Sequence, residues 1–577
     1  MIRFLLFLLL FLKLILPLAA QDGGKTVSYI RNFTPEEYGT HPRNWDIIQD
    51  YRGLMYFANN DGVLEFDAAS WRLLPLADGS GAYSLAADQE GRIYVGGEGD
   101  LGYLAPDTVG TMHYISLREK IPETYRNFDD RVVHISSTPE GMVFLSDGLI
   151  FIYRDDTIEV IRSEDHFFSS VYAKQSLYIV DGVHGFAKVV NGSLQAVPGG
   201  ELLRSFVTLP YKGKILLVQP RRGLILYDPG SVAVSTPPAE RASAFSPLLT
   251  RNDDFLKNYD ISCALTLKDD RLAFGSIKNG FVLVDSNGQE LFHLNQSSGL
   301  QNNDVHSIYQ DEEENFWLAL AQGISFVTPN RVERRFASAQ TDSISAVVDT
   351  TGTAPFSAII RGVEGILNDS LVFGGAFYET VDNVQVLQQK EIQSPEFNYD
   401  YNAFRFTYSS NYYGESEGIE YECYLEGLEL ELRTWSTRRV REYTNLYWGE
   451  YTLHVRARTP QGEMSRETTY TFRVLPPWHA TLWFAAVQVG FVLSLLAISA
   501  VLSRYGAGSA SKISDNLIVF AVVVIFKYVT TAMSPVIGFY SMGIAFFKLF
   551  ANAMVAFVLK PAQKLVDKLI RKTAQTK

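Results

Sequence analysis

Metal ligation, acid–base work and nucleophilic attack each need particular side chains at particular spacings. The chain offers nine histidines, two cysteines and 64 acidic residues to test against those spacings. No two histidines stand at the interval of an H-E-x-x-H pair, in which one helical turn brings both imidazoles to one ion. His306 lies in a strand-like stretch, Val305-His306-Ser307-Ile308-Tyr309, and reads as a structural residue. Glu312-Glu313-Glu314 and Asp269-Asp270 fall between apolar stretches and read as solvated hairpin turns, not as a facing pair of glycosidase carboxylates. Gly79-Ser80-Gly81 lacks the strand-to-helix setting of a phosphate-binding loop, and no Gly-x-Ser-x-Gly elbow is present. Cys263 and Cys423, 160 residues apart, read as buried strand residues and not as a disulfide. No catalytic, metal-binding or cofactor-binding set emerges, so neither an enzyme nor a cofactor is expected.

The elements around these residues repeat. Val305–Asp311, Asn315–Leu320 and Gly323–Phe326 read as strand, acidic turn, strand, glycine turn, strand. The same phase recurs at Asp46–Asp50 with Gly53–Phe57 and Gly62–Asp67, and at Tyr83–Asp88 with Gly91–Val95 and Gly102–Leu104. Further copies centre on Gly141–Phe144, Ser176–Ile179, Gly213–Leu216 and Asp270–Phe274, giving seven units between about 40 and 335. Each unit reads as a small antiparallel sheet of alternating apolar and polar residues with two faces to cover. Radial packing of seven such sheets covers both faces and leaves only short edges. Residues 26–33 are expected to supply the outer strand of the last blade and close the ring. A different all-β solenoid is the alternative architecture.

These units resemble the two-component regulator propeller repeat, most closely over 299–326. The following segment contains Ala403–Tyr408, Ile419–Gly427, Trp435, Tyr443–Leu446 and Gly449–Ala457, and ends at Leu475-Pro476-Pro477-Trp478. It resembles the three-tyrosine domain that follows regulator propellers. The resemblance implies an immunoglobulin-like β-sandwich, with Tyr424, Tyr443 and Tyr451 as the matches to the name-giving tyrosines and Tyr421 as a competitor. Short period-two strands separated by Gly or Pro turns give the same reading. The tyrosines could stack on sugars, but alternating tyrosines on strands usually pack the core and hydrogen-bond their hydroxyls.

Residues 1–20 carry only Arg3 and Lys13, residues 503–577 hold ten basic and two acidic side chains, and 21–502 hold 39 basic against 62 acidic ones, a net charge of −23. An acidic ectodomain argues against nucleic-acid binding. Residues 1–20 read as a signal peptide cut after Ala20, with an uncleaved anchor as the alternative. Residues 21–338 form the expected propeller and 339–477 the sandwich. No charge occurs from Trp478 to Leu502, enough residues to span a bilayer, with Trp478 and Trp483 at the outer interface and Arg504 at the inner one. A loop at 503–516, two further membrane segments within 517–559 turning at Pro535, and a basic tail at 560–577 complete the expectation. Lys527 and Lys548 lie near the middle of those segments, where a charge is expensive. They either snorkel or face a partner.

In hybrid two-component sensors, which the ectodomain resembles, the membrane helix leads to a histidine kinase. Here no histidine follows His479 to accept a phosphoryl group, so the kinase is expected to be lacking. The expected function is a sensor or receptor-like protein of the bacterial inner (cytoplasmic) membrane, with a periplasmic ectodomain and a cytoplasmic C-terminus. Its propeller would bind an extracellular ligand or partner and signal through a separate membrane or cytoplasmic protein. Resemblance to polysaccharide-sensing regulators makes a glycan the implied ligand class, though no residue carries that choice. A homodimer stays open. The alternatives are an adhesion or assembly module without signalling, and a propeller hydrolase or lyase.

Overall fold

The computed structural model describes residues 29–532, other than 220–221, 231–243, 251–255, 257–259, 330–355, 382–383, 389–394, 415–417, 429–433 and 506–508, together with 561, 564 and 568. The expected signal peptide, Pro535 and Lys548 lie outside the described residues. Contacts divide the chain into two compact units. One is 1–353 with 376–389 and 411–416; the other is 354–375 with 390–410 and 417–577.

The first unit is a propeller of seven four-stranded antiparallel sheets. The blades span 44–74, 82–116, 132–162, 167–196, 207–248, 261–294 and 305–328, and the last takes its outermost strand from the other end of the sequence. That strand, β1 (Tyr29–Phe33), runs antiparallel to β2 (Ile324–Thr328), with Tyr29 opposite Thr328 and Phe33 opposite Ile324. Each inner strand contacts the inner strand of the next blade, and the seventh contacts the first, so the ring is closed.

The alternating pattern expected for every strand fails in the middle of the blades. Met55–Asn59, Gly62–Phe66, Leu272–Ser276 and Phe316–Leu320 are buried along their whole length. A middle strand has a neighbouring blade on each face, so both faces want apolar or small residues. Alternation survives on outer strands such as Met112–Ser116. The acidic turns are structural, as the sequence implied. The Asp50 carboxylate accepts the N–H groups of Arg52 and Leu54 at 2.8 and 3.0 Å, and Asp311 accepts those of Glu313 and Asn315 at 3.0 and 2.8 Å. The next turn position is left-handed: Gly53 has φ +82°, and Glu314 adopts φ +63° at the same place.

The first unit also holds a buried charge cluster that the repeats did not announce. Arg52 lies 2.8 Å from Asp50 and 3.8 Å from Glu65, all three nearly dry, while Tyr56 donates to Glu65 at 2.8 Å and Arg72 reaches Glu65 at 3.0 Å. Burial works against the Arg52 charge, but the facing carboxylates outweigh it and hold the guanidinium protonated.

Two segments from the stretch read as the sandwich belong to the propeller unit. The hairpin of Phe377–Val381 and Val384–Gln388 is held by Ala376 N–H donating to Gly110 O at 3.1 Å and Tyr378 Oη donating to Leu104 O at 3.3 Å. Tyr413 is buried beside Trp317 (ring centroids 5.0 Å apart) and Phe66 (5.8 Å). Its hydroxyl approaches Gly53 O at 2.6 Å and Phe66 O at 3.1 Å.

The second unit contains a sandwich of a four-stranded and a five-stranded sheet, followed by two helices. Phe404, from Phe404–Ser410 of one sheet, packs against Phe472, from Thr468–Val474 of the other, at 5.0 Å. Helix α1 (Leu482–Tyr505) contains a 20-residue apolar stretch, Trp483–Leu502, long enough to cross a membrane. Helix α2 (Ser509–Ala532) begins inside the expected loop 503–516, and its apolar core, Ile513–Ile525, is shorter. Ser499 and Ser514, both buried, join the two helices with hydroxyl oxygens 2.7 Å apart.

Tyr413→Ala should destabilise the propeller by about 3–5 kcal/mol, the usual range for emptying a large aromatic site. Tyr413→Phe should cost about 1–3 kcal/mol, through the loss of its carbonyl hydrogen bonds. Denaturant unfolding of the full chain, followed by tryptophan fluorescence, reads this through Trp317. A wild-type midpoint for Tyr413→Ala would mean that 411–416 only rests on the propeller.

Candidate functional site

The seven inner strands meet at a channel, and their beginnings are irregular at one shared place. In six blades the pairing of the first strand with the second slips by one residue, at Trp45, Tyr83, Val133, Phe168, Ser262 and His306. Such a bulge leaves one residue unpaired and re-aims its side chain. In the fifth blade Phe206, just ahead of the strand Val207–Tyr211, stands at the same place. All seven residues border a cavity of about 660 Å³, within the range of small-molecule sites.

The mouth is chemically uneven. The His306 and Trp45 rings meet at a tilt with centroids 4.5 Å apart, Tyr83 follows at 5.4 Å, and the Arg43 and Arg131 guanidiniums lie over Trp45 and Tyr83 at 5.3 and 4.7 Å. Tyr83 donates to Glu98 at 3.0 Å. Across the mouth, Phe168 and Phe206 meet edge to face at 5.1 Å, with Val133 exposed beside them. Phe206 is 62% exposed and offers an open aromatic face at the mouth.

Below the bulges the lining is small and polar. Asp46 accepts the Leu85 N–H at 2.9 Å and the Ser307 hydroxyl at 2.8 Å, touching the second and seventh blades from the first. Burial raises its carboxyl above the usual range, opposed by those hydrogen bonds. His134 Nδ1 lies 2.9 Å from Ser170 Oγ. His134 is exposed where it lines the cavity, and the surrounding walls strip part of its hydration, pushing its pKa down to about 4. Burial also lowers the pKa of His306, against the pull of Asp304, and its Nε2 is buried without a hydrogen-bond partner. Cys263 lines the same lumen, half-buried and free, with its thiol pushed up to about 12 by burial. It is therefore a poor nucleophile. Among the described residues no group of three or more His, Cys, Asp or Glu is placed to hold a metal ion.

His306, read from sequence as structural, thus belongs to the mouth. Trp45, Tyr83, Phe168 and Phe206 were not singled out from sequence at all. The signal for the first three is one column of the aligned repeats, where Trp45-Asp46, Tyr83-Ser84, Val133-His134, Phe168-Ser169, Ser262-Cys263 and His306-Ser307 place a variable residue before a small or polar one; Phe206, followed by Val207, carries no such signal.

The sandwich tyrosines are spread over three strands. Tyr421 and Tyr424 lie on Glu420–Glu426, Tyr443 on Val440–Tyr443 and Tyr451 on Gly449–Arg458. Tyr421, Tyr443 and Tyr451 are buried, and Tyr451 donates to Tyr447 O at 2.9 Å. Tyr424 stacks on His454 at 4.6 Å on the outer side. Cys423 is half-buried and forms no disulfide among the described residues. Lys527 lies on α2, and Lys548 lies outside the described residues.

No known protein family matches the sequence, and no curated protein matches it. Solved structures similar to it include the extracellular domain of the putative hybrid two component system BT4673 from B. thetaiotaomicron, at 14% identity and a TM-score of 0.40 over 78% of this chain and 60% of that one. The corresponding domain of BT3049 from B. thetaiotaomicron is similar at 14% identity and a TM-score of 0.40, over 78% of this chain and 57% of that one. Streptogramin B lyase is similar at 13% identity and a TM-score of 0.40, over 52% of this chain and 98% of its own. The chain therefore spans about 60% of the length of the first of these relatives.

Keeping His134 neutral links stability to pH. Between about pH 6.5 and 4 the unfolded chain binds a proton that the folded chain excludes, so this stabilisation is present above that window and is lost as the pH falls through it. The melting temperature of His134→Gln should fall less steeply than wild type over that range. Superimposable pH profiles would place the His134 titration at its ordinary value.

Proposed function

We propose that the chain is a membrane-anchored, receptor-like sensor of the bacterial cytoplasmic membrane, whose propeller takes its ligand at the channel mouth and which passes the signal to a separate protein. The observation that carries this reading is the ring of bulged inner-strand residues around an open cavity, with Phe206 as an exposed aromatic platform. Small-ligand sites combine such apolar faces with a few placed polar groups, here His306, Asp46, Ser170 and Ser307. The ligand class is a glycan, whose ring faces suit aromatic side chains and whose hydroxyls suit the mixed donors and acceptors below them. Binding without chemistry is the favoured mode. Burial depresses the two lumen histidines and raises the lumen thiol, which weakens the histidines as bases and the thiol as a nucleophile.

Full-length protein in detergent, presented to a glycan array with product analysis of every hit, tests this. Binding by wild type and at least about tenfold weaker binding by Phe206→Ala, roughly 1.4 kcal/mol, is expected. Equal binding by the variant would remove the mouth from the ligand site, and released products would favour the hydrolase or lyase alternative.

The membrane segment offers a second test. One helix suffices to anchor the ectodomain, and a central lysine costs about 2.5–3.5 kcal/mol on insertion scales. Lys527 and Lys548 are proposed to meet an acidic residue of a partner's membrane helix. Replacing both by Leu should leave insertion intact and release a co-purifying membrane protein. Retention of every co-purifying protein by an inserted double variant means that the lysines snorkel.

A further inference from the structure

The sandwich unit has a cavity of its own, about 560 Å³, between the edge strand Val440–Tyr443 of one sheet and Trp435–Ser436 with Glu420–Glu426 of the other. Its floor is aromatic: Tyr408, Tyr421 and Tyr443 are each no more than 6% exposed, and the first two rings lie 5.4 Å apart. Burial lifts the Tyr408 hydroxyl well above the ordinary phenol range, so it stays neutral in the floor. The rim is cationic. Arg438 and Arg441 are both exposed there, with Arg441 over the Tyr443 ring at 5.6 Å. Among the described residues the one carboxylate on the rim, Glu442, is already engaged by Arg405 at 2.8 Å. Arg438 makes no ion pair among the described residues.

The sequence makes the same point independently. Arg438-Arg439-Val440-Arg441 puts three arginines in four positions, inside a region, 21–502, whose net charge is −23. Guanidiniums spaced along one rim match the geometry of an oxyanion, which each can engage with two parallel N–H donors. A desolvated aromatic floor strengthens that attraction relative to open water.

We propose that this cup is a second ligand site, distinct from the channel, and that its ligand carries a carboxylate, sulfate or phosphate group held between Arg438 and Arg441 above the tyrosine floor. The group could belong to a small soluble molecule or to a lipid headgroup, and the two sources are separable. The inference is independent of whatever binds the propeller.

The cup contains its own reporter, because Cys423 lines it. In full-length protein carrying Cys263→Ser, Cys423 is the only thiol. Its alkylation by iodoacetamide is followed in detergent with phosphate, sulfate or glucuronate, against chloride at matched ionic strength. At least one oxyanion should slow the reaction several-fold and raise the melting temperature in a saturable manner. Arg438→Gln with Arg441→Gln should abolish both effects while leaving the anion-free melting temperature close to wild type. A parallel arm compares nanodiscs of phosphatidylglycerol and phosphatidylcholine without added oxyanion. Protection in the anionic discs alone, lost in the double variant, identifies a lipid headgroup as the source. Where Cys423 proves unreactive, the melting temperature alone decides. Equal behaviour in all anions and both lipids, or effects that survive in the double variant, overturns the proposal.

Discussion

Every seam between neighbouring blades is bridged near the channel by a hydrogen bond between inner strands or the residues that lead into them. Asp46 accepts from Leu85 and Ser307, closing the first–second and seventh–first seams. Ser84 donates to Val132 O, His134 meets Ser170, and Ser169 donates to Ser205 O. Thr266 donates to Pro210 O, and Ser262 donates to Val305 O. These bonds are polar contacts between blades whose faces are largely apolar, so they fix register where packing alone would allow sliding. The bulges lie within the same strands. A ring that is pinned just below its mouth can vary the residue at the mouth without moving the blades.

What could be read from the sequence follows from where the information lies along the chain. Asp50 with Gly53 and Asp311 with Glu314 act over four or five residues, so the turns, and through them the blade count, are visible as a local pattern. The cavity is the opposite case. Trp45, Phe206 and His306 are far apart in sequence and meet only because seven strands converge, and none carries a motif of its own. Middle strands such as Phe316–Leu320 were misread as alternating because the neighbouring blade covers the face that an isolated sheet would give to water. The placement of 376–389 and 411–416 within the propeller unit was hidden for a related reason: these stretches interrupt the strands of the sandwich, and only contacts reveal where they pack.

The helical region follows different rules. Val492, Leu495 and Ala521 pack α1 against α2 with ordinary apolar contacts, which gain little in the membrane setting proposed above. The pair Ser499 and Ser514 is then the specific element. Each serine hydroxyl also reaches the other residue's carbonyl, at 3.1 and 2.9 Å. Small polar residues that satisfy one another in this way are what hold helix pairs together when water is absent.

The pairing of β1 with β2 places the first described strand against one that follows it by nearly 300 residues. At the usual pace of synthesis, about 5–20 residues per second, β1 has no partner for roughly 15–60 s. During that interval its backbone donors and acceptors form an open edge, and Phe57 and Phe66 await cover from Trp317 and Phe326. Strand edges of this kind invite pairing with other chains. A ring that closes only with its last blade therefore passes through a long stage in which residues 29–33 have no strand to pair with, and anything that shields them while the later blades are made governs how much of the chain reaches the closed ring.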